Sequence, residues 1–226
     1  EVAWLYLMTD DVEMGQLELD PEDEANDTRD KNSSDAFNVG EGEEPYKWER
    51  EIKSYADNFW ERRYGNILAC NLVIDALPEM EYVVADSGNY NFLAAQAYAL
   101  RAYNYWCLVN SYALPWSKEN LDKPGVIIRM EPQINISPRG RSSIREVYDL
   151  INEDIEKAEK YINIATFDGN IHRLSEPAIL LLASRIALFQ ENWDEVIRTG
   201  KLFLAQNSVI FTLQKNEGWT VRTDKN

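Results

Sequence analysis

Apolar residues recur at helical spacing through most of the chain beyond residue 55. The first stripe advances in steps of four, three, four and three residues through Trp60, Tyr64, Ile67, Asn71 and Ile74. Such steps place side chains on one face of an α-helix. Pro78 cannot continue a helix. The spacing therefore predicts a first helix from about Tyr55 to Pro78.

Further stripes and a capping signal predict two more helices. The second covers about residues 89–112, with a stripe through Leu93, Ala97, Leu100, Asn104, Cys107 and Leu108. The third begins at Ser143, because Ser143 and Glu146 have the spacing of a capping box, in which each side chain binds the other residue's amide. It extends to about Ile162 along a stripe of Ile144, Val147, Ile151, Ile155 and Ala158.

The fourth and fifth predicted helices form a pair. Ser175 can cap the fourth, which runs to about Phe189 and is apolar nearly all round, as expected of a helix buried between neighbours. Asn192 and Glu195 can cap the fifth. Beyond it, residues 209–213 have strand-like side chains but no closing element. The pattern predicts an all-α fold of stacked helical hairpins, the last of which resembles a tetratricopeptide unit.

Two long segments lack helical periodicity. Residues 20–44 are poor in apolar side chains and rich in turn formers, which predicts a loop. This loop is either a solvated acidic segment or a ligand-binding one, although the DxDxDG spacing of a calcium loop is absent. Residues 114–140 are polar and contain prolines, so they are also predicted to form a loop.

The net charge of −16 narrows the range of partners. Residues 1–50 hold 16 acidic and 4 basic side chains, a net charge of −12, and the remaining 176 residues carry only −4. Such a surface repels phosphate backbones and anionic lipid head groups, which are bound by clustered Lys and Arg. No nucleic-acid partner is expected. No apolar run approaches the ~18 residues that would span a bilayer.

Residues that could perform catalysis or bind a metal are scarce. Cys70 and Cys107 lie in apolar stripes and are expected to be small core residues, and the single histidine stands alone. Asp10, Asp11 and Glu13 supply carboxylates such as helical glycosidases use, but nothing predicts the burial that a raised pKa requires. No GxSxG, HExxH or Gly-rich phosphate motif occurs. We expect no enzymatic activity, no metal and no cofactor.

Four blocks of sequence occur in the order that a known family shows. The first block is the spacing of Trp60, Tyr64, Ile67 and Asn71, and the second is QAYALRAYNYW at residues 96–106, followed by Leu108, Val109 and Pro115. The third block is Pro138 and Arg139, followed by the stripe from Ser143 to Ala158. The fourth is ASRIAL at residues 183–188, followed by Asn192 and Trp193. Together they resemble the signature of the SusD/RagB family, whose members are glycan-binding lipoproteins of starch-utilization-type uptake systems. The resemblance covers about residues 60–206 and implies a tetratricopeptide-like helical fold.

The resemblance also bears on domain organisation. Family members carry a signal peptide and a lipobox cysteine, and they are longer than 226 residues. We therefore interpret the chain as the N-terminal part of such a protein. Residues 1–54 are expected to form an acidic segment and loop packed onto a helical domain, and residues 55–226 are expected to form that tetratricopeptide-like domain.

The function that the resemblance implies is non-catalytic binding of an oligosaccharide or polysaccharide at the surface of a Gram-negative bacterium. Such a protein is an outer-membrane lipoprotein that delivers its glycan to a SusC-like TonB-dependent transporter, onto which the repeat helices dock. Membrane attachment is expected only through a lipid anchor that this chain lacks. The alternative is a helical-repeat scaffold that binds another protein through its concave face and does not bind sugar.

Candidate sugar-binding residues lie outside the periodic helices. Sugar recognition combines stacking of a pyranose face on an aromatic ring with hydrogen bonds from amides, carboxylates and guanidinium groups. The candidates are the aromatic residues Tyr46, Trp48 and Trp116, and the polar residues Arg29, Asp35 and Asn38, which are neighbours of the first two in sequence. For each aromatic residue the alternative is packing of its loop onto the helices.

Other aromatic and charged residues are expected to be structural. The aromatic residues on helical stripes are predicted to lie in the core, and they are Trp60, Tyr64, Tyr103 and Trp193. Arg101 and Arg185 lie in apolar helical surroundings, where a guanidinium group needs a carboxylate or carbonyl partner. Asp154 and Glu146 are the predicted partners.

Overall fold

The computed structural model describes five ranges, which are residues 59–80, 86–134, 137–167, 169–170 and 172–206. Internal contacts divide the chain into two units, Glu1–Arg62 and Arg63–Asn226, and nearly all described residues belong to the second. The acidic segment and the strand-like residues 209–213 lie outside the described ranges.

Five α-helices make up most of the described part of the chain. They are α1 (Phe59–Ala76), α2 (Ser87–Tyr112), α3 (Ile144–Ile162), α4 (Glu176–Phe189) and α5 (Trp193–Gln206), with a short 3-10 helix (Leu77–Glu79) after α1. Within these ranges no β-strand forms, and a single isolated bridge joins Pro124 and Ser143. The prediction of an all-α fold is confirmed. None of the described helices is long and apolar enough to cross a membrane.

The predicted caps are present at two helix starts. Ser143 accepts a hydrogen bond from the Glu146 amide at 3.2 Å, and the Ser143 amide donates to the Glu146 carboxylate at 2.7 Å. At α5, the Asn192 side-chain oxygen accepts from the Glu195 amide at 3.3 Å. Ser175 precedes α4 as predicted, but its side chain makes no capping bond. These local signals explain why the predicted starts of α3 and α5 agree with the observed ones. The predicted start of the first helix, near Tyr55, lies outside the described residues.

The core lies between α2 and α3. Small residues of α2 let α3 approach closely, and one side chain of α4 belongs to the same buried cluster. The buried cluster there contains Phe92, Ala95, Ala99, Ala158, Ile162 and Ile179. Helices α4 and α5 pack against each other as a hairpin, in whose turn Glu191 adopts a φ of 56°.

One buried ion pair joins α2 to α3. The Arg101 guanidinium donates from Nε and Nη2 to the two carboxylate oxygens of Asp154 at 2.8 and 2.7 Å. Its Nη1 donates to the side-chain oxygen of Asn71 on α1 at 2.9 Å. All three side chains are buried, so the guanidinium is stabilised by partners from two other helices. Asp154, one of the two predicted partners of Arg101, is confirmed.

Several predictions of burial were wrong. Trp193 was expected in the core and is 59% exposed, and Leu100, on the stripe of α2, is 41% exposed. On α4, Leu181 is 50% exposed, because the buried side of this helix packs on α3 and α5 and its opposite side has no cover among the described residues. Arg185 does not pair with a carboxylate in this part of the chain; its guanidinium lies 5.5 Å from the ring centroid of Trp106. The remaining stripe aromatics, Trp60, Tyr64 and Tyr103, are half-buried.

The two cysteines are free thiols. Cys70 is buried and Cys107 is half-buried. Burial raises the pKa of the Cys70 thiol to about 11 and also raises that of Cys107. Both are therefore protonated at neutral pH, as expected of small core residues.

Gly125 lies in a tight seam that closes the base of the loop between α2 and α3. Its amide donates to the Ser142 carbonyl at 2.7 Å, and a Cβ at residue 125 would lie 3.1 Å from the carbonyl oxygens of Ser142 and Ser143. We expect Gly125→Ala to lower the free energy of unfolding by about 1 kcal/mol, because backbone must shift to admit the methyl group.

The control for this prediction is Gly200→Ala, since open space surrounds residue 200 within α5. There an added methyl group should raise stability by about 0.5 to 1 kcal/mol through helix propensity. Urea unfolding of the two variants checks the contrast, and equal effects would show that the seam widens without cost.

Candidate functional site

Of the predicted site residues, the structure describes only Trp116. The others, which are Arg29, Asp35, Asn38, Tyr46 and Trp48, lie outside the described ranges. The described part of the candidate site is therefore Trp116 and the loop that contains it. This loop, residues 113–143, is hereafter the α2–α3 loop.

Trp116 is held on the helices and is still partly open to solvent. Its ring meets the edge of Tyr148 on α3, with ring centroids 4.7 Å apart and an interplanar angle of 67°. Tyr148 is buried, and its hydroxyl donates to the Asn110 side-chain oxygen at 3.2 Å. Because only part of the Trp116 ring is covered, this residue combines a fixed orientation with an accessible surface. That combination suits stacking against an apolar sugar face.

Side chains of α1 and α2 fix the backbone of the α2–α3 loop. The Tyr105 hydroxyl donates to the Arg129 carbonyl at 2.7 Å and accepts from the Arg129 amide at 2.8 Å. The Asn71 amide donates to the carbonyls of Arg129 and Glu131 at 2.9 and 3.2 Å. These bonds supply the partners that the loop backbone would otherwise find in a β-sheet.

A third such bond comes from Tyr64 of α1, whose hydroxyl donates to the Ile127 carbonyl at 2.7 Å. We call Tyr64, Asn71 and Tyr105 the loop anchors. At the surface of the loop, Arg139 pairs with Glu131, and the Arg129 side chain donates to the Ser137 carbonyl at 2.8 Å. The α2–α3 loop is thus an ordered platform over these residues and carries both charged groups and an aromatic ring.

Burial of tyrosine hydroxyls makes the fold sensitive to alkali. Burial raises the pKa of Tyr64 and of Tyr148 from the ordinary 10.0 to about 12. The folded state therefore holds these protons more tightly than the unfolded state. The resulting stability is fully present below pH 10 and is lost as the pH rises through 12.

We expect a pH titration of phenolate absorbance to show that some tyrosines of the native chain ionise at a higher pH than the others. The same chain in urea is the control, because its tyrosines titrate near their ordinary pKa of about 10. Superimposable curves for the native and unfolded chains would contradict this prediction.

A polar groove of about 630 Å³ lies between α3 and the α4–α5 hairpin. Its floor includes Ile155 and Ala187, and its walls carry carboxamide, carboxylate and guanidinium groups. Arg198 of α5 reaches across to Glu159 of α3 at 2.8 Å, and burial raises the pKa of the Glu159 carboxyl. The sequence pattern gives no signal for this groove, because its polar residues occupy helix faces that the pattern assigns to solvent.

A second groove, of about 300 Å³, lies between α2 and α4 and is lined almost entirely by apolar side chains. We call it the apolar groove, and its lining residues are Leu100, Tyr103, Trp106, Leu174, Leu181, Leu182 and Arg185. The all-round apolarity of α4 in the sequence is a signal for this groove, although it predicted complete burial of the helix.

Comparison with known proteins decides the family. Residues 3–188 match a SusD-like family that is described as starch-binding and associating with the outer membrane. The chain belongs to this SusD-like family. The resemblance to SusD/RagB proteins in the sequence is thereby confirmed.

Individual SusD-like relatives agree with this assignment. The SusD-like protein P38 of Formosa agariphila is 26% identical over 161 residues, which are 70% of this chain and 28% of that protein. A SusD-like carbohydrate-binding protein of Bacteroides vulgatus superposes with a TM-score of 0.61 at 25% identity, covering 69% of this chain and 32% of that one. A laminarin-binding SusD-like protein gives a TM-score of 0.58 at 18% identity, covering 73% and 33%. The chain thus spans about a third of the length of these SusD-like proteins.

Proposed function

We propose that this SusD-like chain belongs to a non-catalytic glycan-binding protein of the bacterial outer membrane, which delivers captured oligosaccharide to a TonB-dependent transporter. The observation that carries the proposal is the half-exposed ring of Trp116 on an ordered loop. The description of the family as starch-binding and the name of the laminarin-binding structural neighbour support the same ligand class.

The loop anchors explain how such a site could bind with useful affinity. A loop that must be ordered on binding loses conformational entropy, which weakens the complex. Here Tyr64, Asn71 and Tyr105 hold the loop backbone in advance. Trp116, which packs against Tyr148, offers a ring in a fixed position. Arg29, Asp35, Asn38, Tyr46 and Trp48 of the acidic segment are proposed as a separate set of glycan-binding residues.

The decisive experiment is a panel of β- and α-glucans, laminarin and starch included, titrated by calorimetry against the wild-type chain and Trp116→Ala. We expect at least one glycan to bind and the variant to lose affinity by about tenfold or more, since an aromatic stacking contact is removed. Trp193→Ala is the matched control, because Trp193 is an exposed tryptophan on α5 and is not part of the α2–α3 loop.

The outcomes separate the possible sites. Circular dichroism must first show that the fold of each variant is intact. If Trp116→Ala binds like the wild type, the Trp116 site is excluded, and Trp48→Ala tests the acidic segment. If no glycan of the panel binds, the result favours the second candidate function, which is a helical scaffold that binds another protein. The apolar groove is the observation that favours it.

The proposal also covers the transporter partner and the cellular location of the protein. A SusC-like transporter is the proposed partner, and a lipid anchor is the proposed means of attachment to the membrane. Co-purification with a TonB-dependent transporter after mild detergent extraction of the native membrane tests this part. Recovery of the protein from a soluble fraction without such a partner would contradict it.

A further inference from the structure

We propose that the apolar groove is covered by the chain's own residues 209–213, which follow α5 and run along the groove between α2 and α4. Residues 209–213 themselves lie outside the described ranges. This inference goes beyond glycan binding and does not depend on it. A groove filled in this way has no room for another protein, so the inference also opposes the scaffold alternative.

The apolar groove has no cover among the described residues. Leu100 of α2 is 41% exposed and Leu181 of α4 is 50% exposed, although both line the groove. The indole N–H of Trp106, also in the lining, is buried and has no acceptor in the described part of the chain. Buried donors are normally paired. A cover that completes this surface therefore supplies both apolar side chains and a hydrogen-bond acceptor.

The chain leaves α5 beside one end of this groove. Gln206 is the last residue of α5, and its side-chain amide donates to the carboxylate of Glu176, the first residue of α4, at 2.5 Å. Leu174, which lines the groove, comes two residues before Glu176. Two hydrogen bonds of 2.7 and 2.9 Å join the Leu174 backbone to the Gln96 side chain on α2. The exit from α5 is therefore adjacent to the Leu174 end of the groove.

The length of the groove matches five extended residues. From Glu176 to Arg185, which lines the far part of the groove, α4 rises by about 14 Å at 1.5 Å per residue. Five residues of extended chain cover about 16 Å at 3.3 Å per residue. Residues 209–213 begin three positions after Gln206. They can therefore enter the groove through a connection of only two residues.

The side chains of this segment suit an apolar groove. Val209, Phe211 and Leu213 alternate with Ile210 and Thr212. An extended backbone places alternate side chains on one side, so the first three would form a continuous apolar edge. The segment carries no charged side chain, and its main-chain carbonyls are the kind of acceptor that a buried indole N–H requires. The groove thus provides the cover that these strand-like residues need.

Tethering favours this segment over an occupant from elsewhere. A segment joined to the mouth of the groove by a short connection has an effective concentration in the millimolar range. A free partner must also lose its translational and rotational freedom on binding. Any stretch of the same protein beyond residue 226 is connected to α5 through the whole of residues 207–226, and a longer connection lowers the effective concentration.

The first test is disulfide trapping in the 226-residue chain. Leu181→Cys places a thiol in the groove and Phe211→Cys places one in the segment. Two cysteines can join only when their Cα atoms lie within about 7 Å of each other. We expect this pair to form an intrachain disulfide under mild oxidation about tenfold faster than the pair Leu72→Cys and Phe211→Cys. Leu72 is the matched control, because it is 52% exposed on α1 and does not line the groove.

Urea unfolding, followed by circular dichroism, gives an independent readout. Leu181→Asp and Phe211→Asp should each lower the urea midpoint, since a carboxylate enters an apolar contact. Because the two side chains cover each other in the proposed arrangement, the double variant should have about the same midpoint as the weaker single variant. Leu72→Asp combined with Phe211→Asp is the control, and there the two shifts should add.

The proposal is overturned if the cysteines at 181 and 211 join no faster than the control pair, or if the shifts of Leu181→Asp and Phe211→Asp simply add. A lower midpoint for Leu181→Asp but not for Phe211→Asp would overturn it in favour of another part of the same protein. A disulfide that joins two chains would overturn it in favour of a second copy. These readouts do not involve glycan, so failure here leaves the glycan proposal standing, and the reverse also holds.

Discussion

Replacing Asp154 with alanine is expected to lower the free energy of unfolding by about 3 to 5 kcal/mol. Asp154 is fully buried and provides both acceptors for Nε and Nη2 of Arg101. Without it the guanidinium keeps its charge in the core, and Asn71 is its one remaining hydrogen-bond partner among the described residues. Chemical unfolding in urea, followed by circular dichroism, measures the loss.

Two further measurements separate the destabilisation caused by an unpaired buried charge from the stability that the ion pair itself contributes. The double variant Arg101→Met with Asp154→Leu should recover most of the lost stability, since an apolar replacement of a buried pair is often nearly neutral. Glu153→Ala is the control on the same helix; it breaks a surface pair with Lys157 and should cost about 0.5 kcal/mol or less. A double variant as unstable as Asp154→Ala would contradict this explanation.

Replacing Asn71 with alanine is expected to cost about 2 to 4 kcal/mol. This side chain accepts from Arg101 and donates to the carbonyls of Arg129 and Glu131. Its removal leaves one guanidinium nitrogen without its acceptor and frees part of the α2–α3 loop. We therefore expect a second effect, which is faster hydrogen exchange at the backbone amides of that loop.

Asn66→Ala is the matched control for Asn71→Ala, because it changes an exposed asparagine of the same helix that makes one bond, of 3.3 Å, to Asn104. Its cost should stay below about 1 kcal/mol and the exchange of the loop should not change. Because Asn71 and Asp154 share Arg101, the double variant should be less destabilised than the two single losses added together. Strict additivity would show that the two contacts act independently.

The sequence predicts the structural features that depend on neighbouring residues or on a single physical requirement. Helix positions follow from the spacing of apolar residues, and the start of α3 follows from the Ser143 and Glu146 capping box. The pairing of Arg101 with Asp154 was also predictable, because a charge within an apolar stripe requires a partner. Each of these inferences depends on residues that are close in sequence or on a single physical requirement.

What the sequence could not predict depends on distant parts of the chain. An apolar stripe does not say which neighbour covers it, so the exposure of Trp193 and Leu181 was missed. The bonds from Tyr64 and Asn71 to the α2–α3 loop span 63 and 58 residues and have no local signature. The half-exposure of Trp116 likewise results from the contact of this loop residue with Tyr148 on α3.

The loop anchors also bear on how such a surface can diversify. Tyr64, Asn71 and Tyr105 bind main-chain carbonyls and one amide of the loop, and these atoms are the same whatever side chain is attached. Substitutions at the outward-facing loop positions therefore leave the hydrogen bonds between the loop anchors and the loop backbone intact. Point mutations in the loop can therefore change its surface chemistry without a matching change in the helices, which makes this loop well suited to directed evolution.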